Sequence, residues 1–235
     1  VVPKVAGVES WELSFKISRR WGHFVKEIPQ EQVIIVGAKG NFHGRSIAAI
    51  SMSDDKDSRS GFGPFLPGIE LVPFNDADAL EDLFRQKGDR IASFMVEPIQ
   101  GEAGVIVPDD DYLPKVSNLC KKYNVLLAVD EVQTGFGRTG KRFACELYGI
   151  EPDLIVLSKQ ITSNYIPMGV VLMTDKIYEP IAENTVKNNL YGSGFTSAGH
   201  PVACAVALEN IKILEEEGLM ERVSSLEPVF QERLK

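Results

Sequence analysis

The chain has 235 residues, of which 44% are hydrophobic and 25% are charged, a composition typical of a globular protein with one large core or two modest ones. The formal net charge is −8 without a basic cluster, which argues against a nucleic-acid partner, and no apolar run approaches the length of a membrane span. The three cysteines, Cys120, Cys145 and Cys204, are far apart, which disfavours a disulfide framework and predicts reduced, buried thiols in an intracellular protein.

The beginning of the sequence reads as the interior of a longer chain. The first residue is Val1, and the opening segment VVPKVAGVESWE contains neither an initiator methionine nor a signal peptide. We therefore expect this sequence to be a fragment.

Hydrophobic periodicity predicts helices that alternate with short apolar strands along the whole chain. The predicted helices cover residues 7–22, 76–86, 111–123 and 201–217, with a second short helix after Gly218. The predicted strands cover residues 33–37, 91–98, 125–130, 154–157 and 169–173. This alternation predicts an α/β fold with a mostly parallel sheet, and the continuous apolar strands indicate helices on both of its faces.

Three reactive side chains stand where predicted strands end. Glu97 and Asp130 end the second and third strands, and Lys159 comes just after the fourth. In a parallel α/β sheet the ligand lies beyond the carboxyl ends of the strands, so we expect these side chains to share one crevice.

Lys159 follows a strand that reads as fully buried. Burial favours the neutral form of an amine, and a neutral amine beside a cavity is a nucleophile suited to forming a Schiff base with an aldehyde. The alternative interpretation is a lysine whose ammonium group simply reaches solvent at the strand end.

Asp130 follows five apolar residues, and a largely buried carboxylate at this position needs a partner. One such partner is the protonated ring nitrogen of pyridoxal 5′-phosphate (PLP), which the carboxylate would keep cationic so that the ring accepts electrons. An ion pair with Lys159 or with Arg138 accounts for the same position equally well.

The loops offer further candidate contacts. Gly7 stands where the first helix begins, and the backbone N–H groups of a helix start suit a phosphate. Phe42 could stack on a flat ring and Arg45 could bind a carboxylate, although a core aromatic and a surface charge are the alternative interpretations. His43 and His200 have no metal-like spacing, so we assign no metal.

Seven short segments occur in the order seen in class III aminotransferases, which are PLP-dependent enzymes of fold type I. They are GVES, GNFHGR, GFGPFLPG, MVEPIQGEAGV, VDEVQTGFGRTG, LSKQ and GFTSAGHP. The sequence resembles that family over nearly its whole length. The resemblance implies a fold type I large domain, a three-layer sandwich of helices around the sheet, and it favours the Schiff-base interpretation of Lys159.

The resemblance also implies a set of cofactor contacts. Lys159 would carry PLP covalently, and Asp130 would pair with the pyridine nitrogen. Gln133 would contact the ring hydroxyl, and Phe42 would stack on the ring. Glu97 would lie beside the site, whereas the family pattern makes Arg138 a structural residue.

The family's phosphate contacts imply a shared active site. Gly7 and Val8 would bind the phosphate through their backbone, and Thr196 would reach the phosphate of a neighbouring subunit in a homodimer. By the same resemblance, residues 1–205 form the PLP-binding large domain, incomplete at its N-terminus, and residues 206–235 form the helical start of a truncated C-terminal small domain.

Within the class, the front half of the sequence most resembles ornithine aminotransferases. Arg45 would hold the α-carboxylate of ornithine, which directs the distal amine to the cofactor, and Glu102 would mask an arginine of the missing domain. The implied reaction converts ornithine and a 2-oxo acid into glutamate-5-semialdehyde and an amino acid, in the cytoplasm or the mitochondrial matrix.

Two departures keep other functions open. The segments SKQITSNYIPMGVVL and GFTSAGHPVACAVA look more like those of 4-aminobutyrate or ω-amino acid:pyruvate transaminases. Trp11 stands where the family usually has a small residue, and Val5 replaces the usual polar residue of the phosphate loop. With the missing ends, these two positions support a third reading, an inactive fragment that retains cofactor binding.

Overall fold

The computed structural model describes residues 1–188 and 191–234, and within these ranges seven strands form one sheet. The strands are β1 (Val2–Lys4), β2 (Ile34–Ala38), β3 (Ile69–Val72), β4 (Ile91–Val96), β5 (Leu126–Asp130), β6 (Leu154–Leu157) and β7 (Gly169–Met173). Their order across the sheet is β1-β7-β6-β5-β4-β2-β3. Strands β2 to β6 are mutually parallel, whereas β7 runs antiparallel to β6 and β1 antiparallel to β7. The predicted mostly parallel α/β sheet is confirmed.

Eight α-helices connect and cover these strands in the described part of the chain. They are α1 (Gly7–Phe24), α2 (Ile47–Met52), α3 (Lys56–Arg59), α4 (Ala77–Lys87), α5 (Tyr112–Lys122), α6 (Asp175–Asn188), α7 (Pro201–Glu216) and α8 (Leu219–Arg233). Each predicted helix is present within about two residues of its expected bounds. The helix predicted to be short after Gly218 instead has 15 residues.

The sheet has a hydrophobic cluster on each face, because successive strand residues point to opposite sides. Ile35 and Leu126 pack with the fully buried Trp11 of α1 on one face. Their neighbours Val36 and Leu127 pack with α4 and α5 on the other. The result is the expected three-layer arrangement of helix, sheet and helix.

The helix α7 packs on the turn that follows β6. Asn210 of α7 donates to the carbonyl oxygen of Gln160 over 2.7 Å and accepts from the Ser163 hydroxyl over 2.6 Å. The domain boundary predicted at residues 205 and 206 falls inside this continuous helix and stays a prediction. No helix in the described ranges is both long and apolar enough to cross a bilayer.

Candidate active site

A cavity of about 190 Å³ opens beyond the carboxyl ends of β4, β5 and β6. Its lining contains every predicted cofactor contact except Thr196. The lining residues are Gly7, Val8, Phe42, His43, Gly44, Glu97, Asp130, Val132, Gln133, Ser158 and Lys159. The three side chains predicted to share a crevice, Glu97, Asp130 and Lys159, therefore do so.

Asp130 is buried, with 7% of its surface exposed, and each carboxylate oxygen has one donor. Oδ2 accepts a hydrogen bond of 2.7 Å from Nδ1 of His43, and Oδ1 accepts one of 3.0 Å from the backbone N–H of Val132. The side-chain partner of Asp130 is thus His43, through a hydrogen bond, and not the Lys159 or Arg138 that the sequence left open. Two of the roughly four acceptor positions of the carboxylate remain for a further donor.

Lys159 occupies the edge of the cavity, and its backbone has a left-handed φ of 46°. The preceding Ser158 is buried and donates its hydroxyl to the carbonyl oxygen of Met168 over 2.7 Å. Strained backbone of this kind in a non-glycine residue persists only where the surroundings impose it, and it concentrates at functional sites.

The sequence leaves open whether the Lys159 side chain is buried or reaches solvent, and the structure places it in solvent. The strand β6 is largely buried, but the chain turns into a 3₁₀ segment at Lys159, and the side chain of this residue is exposed. Its Nζ has no hydrogen-bond or ion-pair partner within the described part of the chain. The Lys159 side chain therefore lies at the edge of the cavity without a competing hydrogen bond among the described residues.

The start of α1 forms another wall of the cavity. Gly7 packs so closely that a Cβ there would lie 3.3 Å from Val132 and from Ser158. Gly44, with φ of 121°, lets its loop approach Val8, where a Cβ would lie 2.5 Å from the valine side chain. The unpaired N–H groups of a helix start suit an anion, and α1 is the helix that presents them here.

The predicted substrate residues lie next to this cavity and not in its lining. Glu102 lines an adjacent cavity of about 290 Å³ that shares Phe42, His43 and Gly44 with the first. Its carboxylate accepts from the side chain of Gln133 over 3.4 Å. The exposed guanidinium of Arg45 lies over the Phe42 ring, 5.6 Å from the ring centroid.

Thr196 is exposed in the turn before α7 and is not in the lining of the cavity. This chain alone does not bring it to the other cofactor contacts. A role for Thr196 toward a second subunit stays a prediction.

Glu97 connects two loops of the site from a buried position. Its Oε2 accepts from the backbone N–H of Phe42 over 3.0 Å, and its Oε1 accepts from that of Gly101 over 3.3 Å. Burial raises the pKa of the Glu97 carboxyl to about 7; the nearby His43 opposes that rise and Asp130 adds to it.

Glu131 organises the loop that carries Gln133. Its fully buried carboxylate accepts from the backbone N–H groups of Ala144 and Cys145 over 3.0 and 2.8 Å, and from the Thr134 hydroxyl. Burial raises the pKa of this carboxyl, while those hydrogen bonds act in the opposite direction.

Sequence reasoning missed two contributors to the site, His43 and Glu131. The spacing of His43 in the sequence excludes a metal site and indicates no other role, although His43 lies beside Phe42 in the same glycine-bracketed loop. Glu131 directly follows Asp130, and a second acid after a buried strand was a signal that a further buried contact is needed.

The fold and the site define a class of protein, since an amine, a carboxylate, an aromatic ring and a helix start converge where α/β proteins bind ligands. The chain belongs to the class-III aminotransferase family, whose family model matches residues 1–235. The predicted family is therefore confirmed.

Named relatives and solved structures agree with this membership. The chain is 48% identical to the mitochondrial ornithine aminotransferase of Arabidopsis thaliana over 226 residues, which cover 96% of the chain and 46% of that protein. It matches the ornithine aminotransferase structure from Toxoplasma gondii, described with partial PLP occupancy at the active site, with a TM-score of 0.92 at 37% identity; the match covers 99% of this chain and 53% of that one.

A third similar protein is named as an ω-transaminase and not as an ornithine aminotransferase. The (S)-enantioselective ω-transaminase from Thermomicrobium roseum matches with a TM-score of 0.86 at 38% identity, covering 94% of this chain and 52% of that one. The chain thus spans about half the length of the relatives it matches.

Proposed function

We propose that this chain is part of a PLP-dependent aminotransferase that transfers the δ-amino group of ornithine to a 2-oxo acid. The observation that carries the proposal is the single cavity in which the free amine of Lys159 and the buried carboxylate of Asp130 meet. The other lining groups fit the cofactor by chemistry, because they supply an aromatic face, an amide and a helix start.

Each residue has a role that its position supports. The Lys159 amine would hold the cofactor aldehyde covalently and, once released, would move the substrate proton. Asp130 would accept the N–H of the pyridine ring with one of its remaining lone pairs. When bound, PLP supplies an electron sink for the substrate carbanion.

Three further contacts would hold the cofactor in place. The backbone N–H groups of Gly7 and Val8 would bind its phosphate at the start of α1. Phe42 would stack on the ring, and the Gln133 amide would donate to the ring hydroxyl. Thr196, which is exposed here, would complete the phosphate site of a second subunit in a homodimer.

Ornithine is favoured as the amino donor because the front half of the site carries the groups for it. Arg45 lies over Phe42 at the cavity mouth, where a guanidinium could bind the α-carboxylate and leave the distal amine facing Lys159. The names of the A. thaliana and T. gondii relatives support the same donor. The A. thaliana relative is named as mitochondrial, which supports a mitochondrial over a cytoplasmic location for this protein.

The test is substrate turnover by the full-length enzyme. With PLP and 2-oxoglutarate, we expect ornithine to give glutamate-5-semialdehyde at least about tenfold faster, by kcat/KM, than 4-aminobutyrate gives its semialdehyde. The variant Arg45→Ala should lose most of this preference, whereas the surface control Lys121→Ala should keep it. Faster turnover of 4-aminobutyrate or other ω-amines with pyruvate would contradict the proposal.

Faster turnover of these other amines would indicate the alternative function, that of an ω-amino acid or 4-aminobutyrate transaminase. The SKQITSNYIPMGVVL segment that carries Lys159 favours it, as does the similarity to the T. roseum ω-transaminase. An inactive cofactor-binding fragment is not favoured, because the chain retains the cavity, its free amine and its buried carboxylate.

A further inference from the structure

Trp11 is a large aromatic residue directly behind the polar cavity, and the reaction proposed above does not use it. It lies on α1 one turn after Gly7 and Val8, so it occupies the same face of the helix as these two lining residues. Its side chain is fully buried. The helix that forms one wall of the cavity therefore also places an indole beneath it.

The indole packs face to face with the imidazole of His43. The ring centroids are 5.2 Å apart with only 13° between the planes, which is an offset stack. On its far side Trp11 contacts Phe15, at 5.3 Å between centroids, within the core between α1 and the sheet. The imidazole therefore rests on a surface anchored in the core.

His43 in turn fixes Asp130. A carboxylate only accepts hydrogen bonds, so the 2.7 Å contact requires the proton of His43 to be on Nδ1. The other ring nitrogen, Nε2, is buried and has no partner among the described residues. The ring is thus bonded at one edge and held on one face, and its Nδ1–H points at Oδ2.

The buried Nε1 of Trp11 also lacks a hydrogen-bond partner in the described part of the chain. Unpaired buried polar atoms are unfavourable, and native structures contain few of them. Trp21 has the same unpaired Nε1, so the feature that distinguishes Trp11 is its stack on His43.

We propose that Trp11 is a positioning residue for Asp130: its indole holds the imidazole of His43 in the plane from which Nδ1–H bonds the carboxylate. The Val132 N–H already holds Oδ1. A stack that keeps the imidazole in place also holds Oδ2, and the carboxylate then cannot rotate. The effect of this positioning on the ring nitrogen of PLP rests on the proposed function, whereas the contacts among Trp11, His43 and Asp130 do not.

The decisive measurement uses the cofactor-free, full-length enzyme labelled with 15N-histidine. The His43 signals are assigned by their loss in His43→Asn, and long-range 1H–15N spectra then report which ring nitrogen carries the proton. We expect Nδ1–H in the wild type, and in Trp11→Leu we expect this proton to exchange with solvent at least about tenfold faster. Unchanged tautomer and exchange in Trp11→Leu would overturn the inference.

Trp21 offers a matched control on the same helix. It is also buried, its Nε1 is also unpaired, and its recorded ring contact is with Lys176 and not with His43. Trp21→Leu therefore removes a comparable volume of core and should leave the His43 proton unaffected. An equal effect of Trp21→Leu and Trp11→Leu would also overturn the inference, because it would reflect general loosening of α1.

A second measurement reads the consequence for PLP and covers the case in which Trp11→Leu does not fold. The amide of His43→Asn can still donate to Asp130, so PLP should bind within about threefold of wild type, whereas His43→Leu should bind about tenfold more weakly or worse. Equal affinities for the two variants would count against the inference. Absence of a PLP absorption band in the wild type would contradict the proposed function, and the tautomer measurement would still decide the positioning role.

Discussion

Two of the cavities in the described part of the chain are lined by neighbouring residues at the end of β6, and the larger of these two does not contain the convergent acids and amine. The polar cavity of about 190 Å³ contains Lys159, Asp130 and Glu97. The apolar groove of about 500 Å³ lies on the other side of β6 and is lined mainly by hydrophobic side chains. These include Phe136, Leu157, Ile161, Met168, Val170, Leu172, Ala207, Ile211, Leu214 and Met220.

At the end of β6 the chain passes from the apolar groove to the polar cavity within three residues. Leu157 lines the apolar groove, whereas Ser158 and Lys159 line the polar cavity. The two oppositely charged residues of the groove, Arg142 and Glu215, pair with each other at 3.0 Å, while the Lys159 amine has no partner within the described ranges. The convergence of two acids and an unpaired amine, and not the cavity volume, therefore identifies the polar cavity as the candidate active site.

Replacing Lys159 should have the largest effect on the difference between the polar cavity and the apolar groove. Lys159→Ala removes the proposed nucleophile from the polar cavity, so we expect no covalent PLP absorption band and a loss of turnover of at least about 10⁴-fold. Absorption spectroscopy and ornithine turnover of the full-length enzyme measure both effects. Lys121→Ala, a surface lysine on α5, is the control, and a retained band in Lys159→Ala would refute the assignment.

Removing the carboxylate should have the next largest effect. Asp130→Ala removes the acceptor for the ring nitrogen and leaves the buried Nδ1–H of His43 unpaired, so turnover should fall about 10³-fold, or about 4 kcal/mol in the barrier. The affinity for PLP should fall as well, as titration of the absorption band would show. The exposed Asp110→Ala is the control; near-normal turnover in Asp130→Ala would exclude an electron-sink role.

The Glu97 carboxyl, which lines the polar cavity, should make the free energy of unfolding of the chain depend on pH. Its pKa is raised by burial from 4.5 to about 7, so between these values the folded chain binds more protons than the unfolded chain. The free energy of unfolding should therefore fall as pH rises through this window, by about 3 kcal/mol from this group.

Chemical denaturation of Glu97→Gln at about pH 5 and about pH 8 tests this expectation. The amide does not titrate, so the decrease between the two pH values should be smaller than in wild type by about 3 kcal/mol. The exposed Glu151→Gln should retain the wild-type decrease. Parallel curves for Glu97→Gln and wild type would show that the carboxyl does not titrate in this range.

A substitution in the apolar groove should affect stability and spare the chemistry. Leu214 of α7 is buried, and Leu214→Ala should lower the free energy of unfolding by about 2 kcal/mol through lost burial and a residual cavity. The PLP band should keep its intensity and affinity. The exposed Leu147→Ala should change stability by less than about 0.5 kcal/mol, and loss of the PLP band in a folded Leu214→Ala would show that the cavities are coupled.

Much of the fold could be predicted because its main elements have strong local signals. The central strands β4, β5 and β6 are continuous apolar runs, and the stripe on α5 repeats at helical spacing. The edge strands β1 and β3 were missed because they have only three and four residues, mostly half-buried. The helix α6 was missed as well, and it contains an internal proline.

The site could be predicted where a residue follows a strand or matches a family motif. The contact between His43 and Asp130 could not, because it joins residues 87 positions apart through a loop without periodic pattern. The sequence could not decide between a buried and an exposed Lys159, since the exposed position goes with a left-handed backbone at that residue. Such features depend on tertiary packing and not on local propensity.

The neighbouring positions of β4, β5 and β6 impose an order on how the chain acquires its reactivity. Glu97 and Asp130 leave the ribosome before Lys159, and β6 pairs along β5 with Ala128 opposite Leu154. A nascent chain halted before β6 would carry both acids of the polar cavity without the Lys159 amine beside them. The full set of three groups is therefore assembled only after the last of the three strands has been synthesised and has joined the sheet.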